Sequence, residues 1–235
     1  MSPSLRVPSL LLLLFAVQGL AQESPRLRPQ QDTELWLSTA VEFKPLKKRK
    51  GKVYQPQFMK RLRAYVEASY RGNENITASK VFFTTVGARY KLNDHVAFGM
   101  DARYNFRDRY TTNSTRLDGQ VTLSHEVGRI AGSYRVNLQH ELIEPFRIRT
   151  VLRHRFELEW NTRKMPIDPV VSAETFTALN YKGNTLIGVR YQLGIKYRPD
   201  KVHSIDLAYQ HDRELNTAYP RYRHIIAISY GYYLK

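Results

Sequence analysis

In the stretch RIRTVLRHRFELEW, residues 147–160, Arg147, Arg149, Arg153, Arg155, Glu157 and Glu159 share one parity, while Ile148, Leu152, Phe156, Leu158 and Trp160 share the other. Successive side chains of a strand point to opposite faces, so an extended chain separates the two sets, whereas a helix would spread both around its circumference. The alternation recurs. In 95–107, Phe98, Met100, Ala102, Tyr104 and Phe106 oppose Asp101, Arg103, Asn105 and Arg107. In 115–128, Leu117, Val121, Leu123 and Val127 oppose Arg116, Asp118, Gln120 and Glu126. In 185–198, Ile187, Val189, Tyr191, Leu193, Ile195 and Tyr197 oppose Arg190, Gln192, Lys196 and Arg198.

This pattern predicts eleven strands, at about 33–43, 58–71, 79–91, 95–107, 115–128, 130–142, 146–160, 171–180, 185–198, 202–213 and 221–234. All eleven prolines fall outside these segments, as expected of a residue that cannot donate to a ladder. There is no internal repeat, no linker and no helical period, so the chain reads as one domain. Soluble strands usually run ~5–6 residues, while strands that cross a membrane need ~9–11, and most of these segments are longer still. Tyr70, Tyr90, Phe106, Trp160, Tyr197 and Tyr230 sit near segment ends on the apolar parity, where membrane barrels carry aromatic girdles. The expected fold is all-β, an antiparallel up-and-down transmembrane barrel of 10–12 strands, rather than a soluble lipocalin-like barrel or sandwich. Outer-membrane barrels commonly have an even strand count, so eleven segments imply one merged, missed or non-crossing. The turns at Asn93–Asp94, Gly128–Arg129 and Pro199–Asp200 read as periplasmic, and the connections at 108–114 and 214–220 as external.

The first residues change the compartment. MSPSLRVPSLLLLLFAVQGLAQ has a basic Arg6, an apolar run from Leu10 to Val17 and small residues at Gly19 and Ala21, the form of a secretory signal peptide. The expected organisation is a signal peptide over 1–21, a polar lead over 22–32 and an outer-membrane barrel over 33–235. The chain has no cysteine, so neither disulfides nor a lipid-anchored N-terminal cysteine is expected. Its net charge of +16 points to anionic neighbours, and export makes these membrane lipid and anionic glycolipid head groups rather than nucleic acid. The outer-membrane assembly machinery is the other expected partner.

Trp36, LRAYVEASYR in the second segment, LRHRFELEW in the seventh and the run ETFTALNYKGNTLIGVRYQLGIKYRPDKVHSIDLAYQ resemble an uncharacterised outer-membrane barrel family. It is known as domain of unknown function twenty-four ninety, of Bacteroidota type. The resemblance spans about residues 33–234, and its strongest elements are Glu174, Phe176, Arg190, Gly194 and Tyr209. It implies a fold and a location in the outer membrane of Gram-negative bacteria, and no activity.

Candidate chemistry is sparse. His140, His154, His211 and His224 are the candidates for a lipid-modifying barrel enzyme, a lipid A acyl hydrolase or acyltransferase. His140, His154 and His224 lie on the apolar parity, and no nucleophile stands with a spaced base and orienter. No metal motif, phosphate loop or dinucleotide fingerprint occurs, so no catalytic residue, metal or cofactor is assigned. The polar parity instead predicts a charged lumen: Arg61, Arg63, Glu67, Asp101, Arg103, Arg116, Asp118, Arg147, Arg149, Arg153, Arg155, Glu157, Glu159 and Arg190. Glu126, Glu141 and Asp206 share that face as further acidic partners. Such a lining suits either an internal ion-pair network or a narrow anion-selective channel. An eight-stranded barrel is filled by its own side chains and an aqueous channel needs about sixteen strands, so ten to twelve favours the filled network. The basic run Lys44–Lys52 reads as a solvated connection, or as a contact for anionic lipid or glycan at the membrane surface.

Overall fold

The computed structural model describes residues 30–45, 60–107, 112–143, 147–162, 165–180 and 183–234, with the side chains of 147 and 148 excepted. The expected signal peptide and most of the Lys44–Lys52 run lie outside these described residues. The alternating segments become eleven strands: β1 (Gln30–Phe43), β2 (Leu62–Asn73), β3 (Ala78–Lys91), β4 (Val96–Phe106), β5 (Ser114–Val127), β6 (Ile130–Ile143), β7 (Arg147–Trp160), β8 (Ile167–Leu179), β9 (Thr185–Tyr197), β10 (His203–Glu214) and β11 (Arg221–Leu234). Each pairs with its sequence neighbour in a meander, and β1 meets β11 to close the barrel.

The expectation of an even count is overturned: among the described residues all eleven segments form strands of one closed barrel. In a meander each strand reverses the last, so with eleven strands β1 and β11 run the same way and can close only as a parallel pair, Gln30↔Arg221 through Phe43↔Leu234. Across this seam Ser38 Oγ donates to Ser229 Oγ at 2.7 Å. The other ten pairings are antiparallel.

Two boundaries also differ from the sequence pattern. β8 begins at Ile167 and so contains Pro169, against the expected exclusion of proline. Pro169 lies opposite Ile195 of β9, but the β7 ladder has already stopped at Glu159↔Val170. The missing N–H therefore falls where β8 has no partner on that side, the place a strand tolerates proline. β2 begins at Leu62, which leaves Arg61 outside it.

Polar and apolar faces are inverted relative to a soluble protein. Val86, Met100 and Leu193 point outward and are 58 %, 74 % and 62 % exposed, while Glu34, Asp212 and Glu174 point inward at 0 %, 3 % and 4 %. The few buried apolar side chains, among them Phe83, Val151, Val170 and Ile225, stand among them on the inner face. Strand direction sorts the connections into two ends. One end, marked by the two-residue turn at Gly128–Arg129, also carries the 44–61, 92–95, 161–166 and 198–202 connections and the end of β11. Gly128 adopts φ +67° there, a left-handed conformation that the first central position of a tight hairpin demands. The other end, marked by Asn216, carries the start of β1 and the 74–77, 107–113, 144–146, 180–184 and 215–220 connections.

Candidate functional site

Inward-facing charges become neighbours through strand register. A row of paired residues crosses β6 to β11 and reaches β1: Arg135, Arg155, Glu174, Arg190, Asp212, Arg223 and Asp32. Directly opposed side chains on one sheet face interact, so the alternating signs from Arg155 to Asp32 favour this register, while Arg135 and Arg155 oppose each other as like charges. Arg153, one pleat away from Arg155, donates to Glu174 Oε1 from Nε at 3.0 Å and from Nη2 at 2.6 Å. Arg190 lies 3.6 Å from Glu174 and 2.6 Å from Asp212, and Arg223 lies 3.2 Å from Asp212. Glu174 and Asp212 thus each hold two arginines from opposite sides.

Toward the Gly128 end the charges balance. Glu157 receives Arg155 at 2.6 Å and Lys196 at 2.8 Å. Glu159 receives Lys196 at 2.7 Å and Arg198 at 2.8 Å, and Arg198 reaches on to Asp168 at 2.6 Å. Partial burial opposes the charge of Arg198, just beyond β9, but the hydrogen bond and charge of Glu159 and the charge of Asp168 outweigh it, and the guanidinium is held more basic than usual.

Toward the Asn216 end a cavity of about 680 Å³ opens, lined by ten arginines against six carboxylates. Its lining reaches from Glu214, Asn216 and Arg149 at the rim toward the Gly128 end as far as Gln120, Arg155 and the exposed Arg89, and includes none of Glu157, Glu159 or Lys196. Along its wall guanidinium groups and aromatic rings alternate, with Phe83 buried behind the lining. Arg103 lies over Phe83 (3.9 Å from Cζ to ring centroid), and Arg71 over both Phe83 (4.9 Å) and Trp36 (3.8 Å). Arg190 lies over Trp36 (5.0 Å) and Phe176 (4.9 Å), and Arg153 over Phe176 (4.9 Å). Trp36 on β1 meets Arg190 on β9 because the two strands between them place only Ala227 and Ala208 in register with it. The indole donates to Glu34 Oε2 at 2.7 Å, and Lys80 Nζ donates to the other oxygen of that fully buried carboxylate.

The structure places the sequence-predicted residues unevenly. Glu67, Asp101, Arg103, Arg116, Asp118, Arg149, Arg153, Arg155 and Arg190 line the cavity, and Glu157 and Glu159 form the balanced cluster. Arg116 pairs with Asp118 at 2.6 Å, Glu67 accepts from Ser69 Oγ at 2.6 Å, and Asp101 accepts from Tyr65 OH at 3.0 Å. The Tyr65 ring lies flat over Gly87, where an added Cβ would stand 2.5 Å from it. Arg63 stands exposed at the Gly128 rim with Glu42 at 2.5 Å. Arg61 is a correction: ahead of β2 and exposed, it donates to the carbonyl of Leu92 and is not a lumen residue. The side chain of Arg147 lies outside the described residues. Sequence reasoning left Glu34, Arg71, Arg89, Arg135, Asp212 and Arg223 out of the predicted lumen set. It also missed the inward Trp36 and Phe83, for which an aromatic on the charged parity was the available signal.

A family model described as "Protein of unknown function (DUF2490)" matches residues 34–223, a span that touches all eleven strands. The chain belongs to this DUF2490 family. No curated protein and no solved structure gives a significant match. For this DUF2490 member, the motif residues Glu174, Phe176 and Arg190 fall together on the inner face, in direct contact. Tyr209 points outward, hydrogen-bonded to His224 Nδ1 at 2.6 Å. The histidines considered for catalysis are outer-face groups. Tyr134 and His154 share a 2.7 Å hydrogen bond, His140 and Thr150 one of 3.1 Å, and His211 packs on His224 with ring centroids 5.1 Å apart. His203 and Tyr230 repeat the pairing at 2.6 Å. In all three Tyr–His pairs the histidine sits two residues before the cross-strand partner of the tyrosine. Among the described residues, no group of three or more His, Asp or Glu has metal-binding geometry.

Proposed function

We propose that this chain is an outer-membrane β-barrel protein whose lumen is a charge-filled vestibule open at one end, serving a structural or ligand-holding role rather than a general pore or an enzyme. The observation behind this reading is the inversion of faces on a closed barrel: large apolar side chains are outside and carboxylates and arginines inside. Water gives no reason to expose Met100, Leu193 and Val86 together while burying Glu34, whereas a hydrocarbon surround does. Strands of 11 to 14 residues fit the same surround. At ~3.3 Å per residue and a tilt of roughly 40°, they span about 28–35 Å, matching a bilayer core. Tyr70, Phe82 and Phe106 near the Asn216 end and Tyr90, Trp160 and Tyr197 near the Gly128 end supply two aromatic bands. Even the outward histidines support it, because hydrocarbon leaves a polar ring nitrogen only a neighbouring tyrosine or threonine as partner.

The orientation that suits tight turns puts the Gly128 end in the periplasm and the Asn216 vestibule outside. β1 then ends, and β2 begins, on the periplasmic side. Export by the N-terminal signal and folding by the outer-membrane assembly machinery belong to the same proposal. The reading is tested by fractionation and gel mobility: the protein should co-sediment with outer membranes, resist extraction by high salt and migrate faster unboiled than boiled. Recovery as a soluble periplasmic protein would sink it. The excess of arginine in the cavity favours a second reading, a narrow anion-selective channel. Planar-bilayer recording separates the two, since a vestibule shows no steady conductance and a channel shows small anion-selective steps. Altered acyl chains in the host membrane would instead favour the enzyme.

A further inference from the structure

The charge excess in the vestibule is concentrated. Glu174 and Asp212 account for Arg153, Arg190 and Arg223, and Asp118 accounts for Arg116. Arg71, Arg89, Arg103 and Arg135, with Arg149 at the rim, line the cavity with no carboxylate at ion-pair distance among the described residues. Arg103 spends its Nε on Thr85 Oγ1 at 3.0 Å, and Arg71 is held by the rings of Trp36 and Phe83. The charges of Arg103, Arg190 and Arg116 oppose that of Arg71, while that of Glu34 favours it. Gln139, nine-tenths buried on the same cavity wall, has an amide Nε2 with no partner among the described residues.

We propose that the run of Arg103, Phe83, Arg71, Trp36, Arg190 and Phe176 is a binding site for a small oxyanion bearing two or more phosphate or carboxylate groups. A guanidinium stacked on a ring keeps its planar N–H edges free for a forked contact with an oxyanion, while the ring fixes its rotamer in advance. That prior ordering removes part of the entropy cost of binding. The cavity volume of about 680 Å³ suits a small molecule rather than a polymer. Small-ligand sites run ~300–1,000 Å³. Several negative groups are needed because five arginines without a carboxylate partner among the described residues line one space, and Gln139 adds a neutral donor. The inference rests on the vestibule reading only for the side from which the ligand arrives.

Trp36 and Trp160 are the two tryptophans of the chain, and Trp160 lies outward at the end of β7, 55 % exposed. In the full-length refolded protein carrying Trp160→Phe, Trp36 becomes the sole indole reporter inside the site. Titration with inorganic tripolyphosphate, and separately with citrate, at constant ionic strength should change its emission saturably in the micromolar range. The double variant Arg71→Gln/Arg103→Gln should weaken binding at least tenfold, and Arg63→Gln at the far rim should not. Should the double variant fail to refold, Arg103→Met alone is expected to weaken binding by about threefold. A bisphosphorylated glycolipid in the micelle replaces the soluble probe in a second arm. Saturation by that lipid alone assigns the site to a membrane headgroup, and saturation by tripolyphosphate or citrate assigns it to a free ligand. The proposal is overturned if a barrel with folded gel mobility shows no saturable change with any probe. It is equally overturned if sodium chloride reproduces the change, or if the arginine variants bind as well as the parent. Failure of the membrane reading shows separately, in fractionation, and leaves this titration readable.

Discussion

The two ends of the lumen are built from the same residue types and behave as opposites. Near Gly128, three cations (Arg155, Lys196, Arg198) meet three carboxylates (Glu157, Glu159, Asp168) in one connected chain of contacts between 2.6 and 2.8 Å. Near Asn216, arginines outnumber carboxylates and part of the surplus is held by aromatic faces instead. Ion pairing consumes charge and fills space, so the first region is complete in itself. Stacking on a ring fixes a guanidinium without neutralising it, so the second region retains a demand for anions. The arginine content of a barrel interior therefore says little about function until each arginine has been matched to its partner.

The sharpest way to break the contrast is at Glu174, one of the two carboxylates that each hold two arginines on the cationic side. Glu174→Gln leaves Arg153 and Arg190 facing each other without their shared counter-charge. Removing one member of a buried pair costs ~3–5 kcal/mol, so a marked loss of heat resistance in the gel-shift assay is expected. A barrel as heat-resistant as the parent would mean that the Glu174 contacts add nothing. Next in size is a test of the wall itself. Leu152→Arg places a cation on the outer face near mid-strand, at a cost of ~2–4 kcal/mol in a membrane barrel, and should impair assembly sharply. Arg153→Leu, its neighbour, should be milder because Glu174 keeps Arg190. Equal penalties at the two positions would refute the assignment of faces.

The remaining pair sharpens the comparison directly. Lys196→Met removes two charge-assisted hydrogen bonds from the balanced end and should lower unfolding stability by ~1.5–3 kcal/mol in urea titrations. Arg103→Met on the cationic side loses one bond to Thr85 and a ring contact, but also removes repulsion from Arg71. The change expected there is within ~1 kcal/mol, of either sign. If both substitutions proved equally destabilising, the two ends would not differ in the way their contacts imply.

Strand parity made most of the fold legible. Because one face of β7 is charged and the other apolar, the separation of Arg153 from Leu152 follows from the chain being extended, with no knowledge of its neighbours. What parity cannot supply is the row a residue occupies. Arg155, Glu174, Arg190, Asp212 and Arg223 lie on five strands, and only the register of four pairings brings them side by side. Arg190 was therefore identifiable as inward from sequence, but its partners were not. Aromatics failed for a different reason. A girdle is the usual place for a ring in a membrane barrel, so Trp36 and Phe83 were overlooked although both sit on charged parities. Pro169 misled because a proline reads as a break, whereas the outer flank of a strand beyond its neighbour's end accommodates it.

The parallel seam has a consequence for topological engineering. In an even-stranded meander, first and last strands are antiparallel neighbours, and a short loop can join their ends so that the chain is reopened elsewhere. Here Gln30 begins at the Asn216 end and Leu234 finishes at the Gly128 end, a strand length apart. A linker between them would have to pass along the barrel, through the vestibule or across the outer wall. Simple circular permutation is thus closed to this architecture. On the proposed membrane reading, epitopes attached at the two strand termini should instead be protected by opposite membrane faces, which makes protease accessibility in intact cells a direct readout of orientation. The seam also has no tight turn to set its alignment, so the match of Glu34 with Ile225 and the Ser38–Ser229 hydrogen bond must hold the register that a hairpin supplies elsewhere.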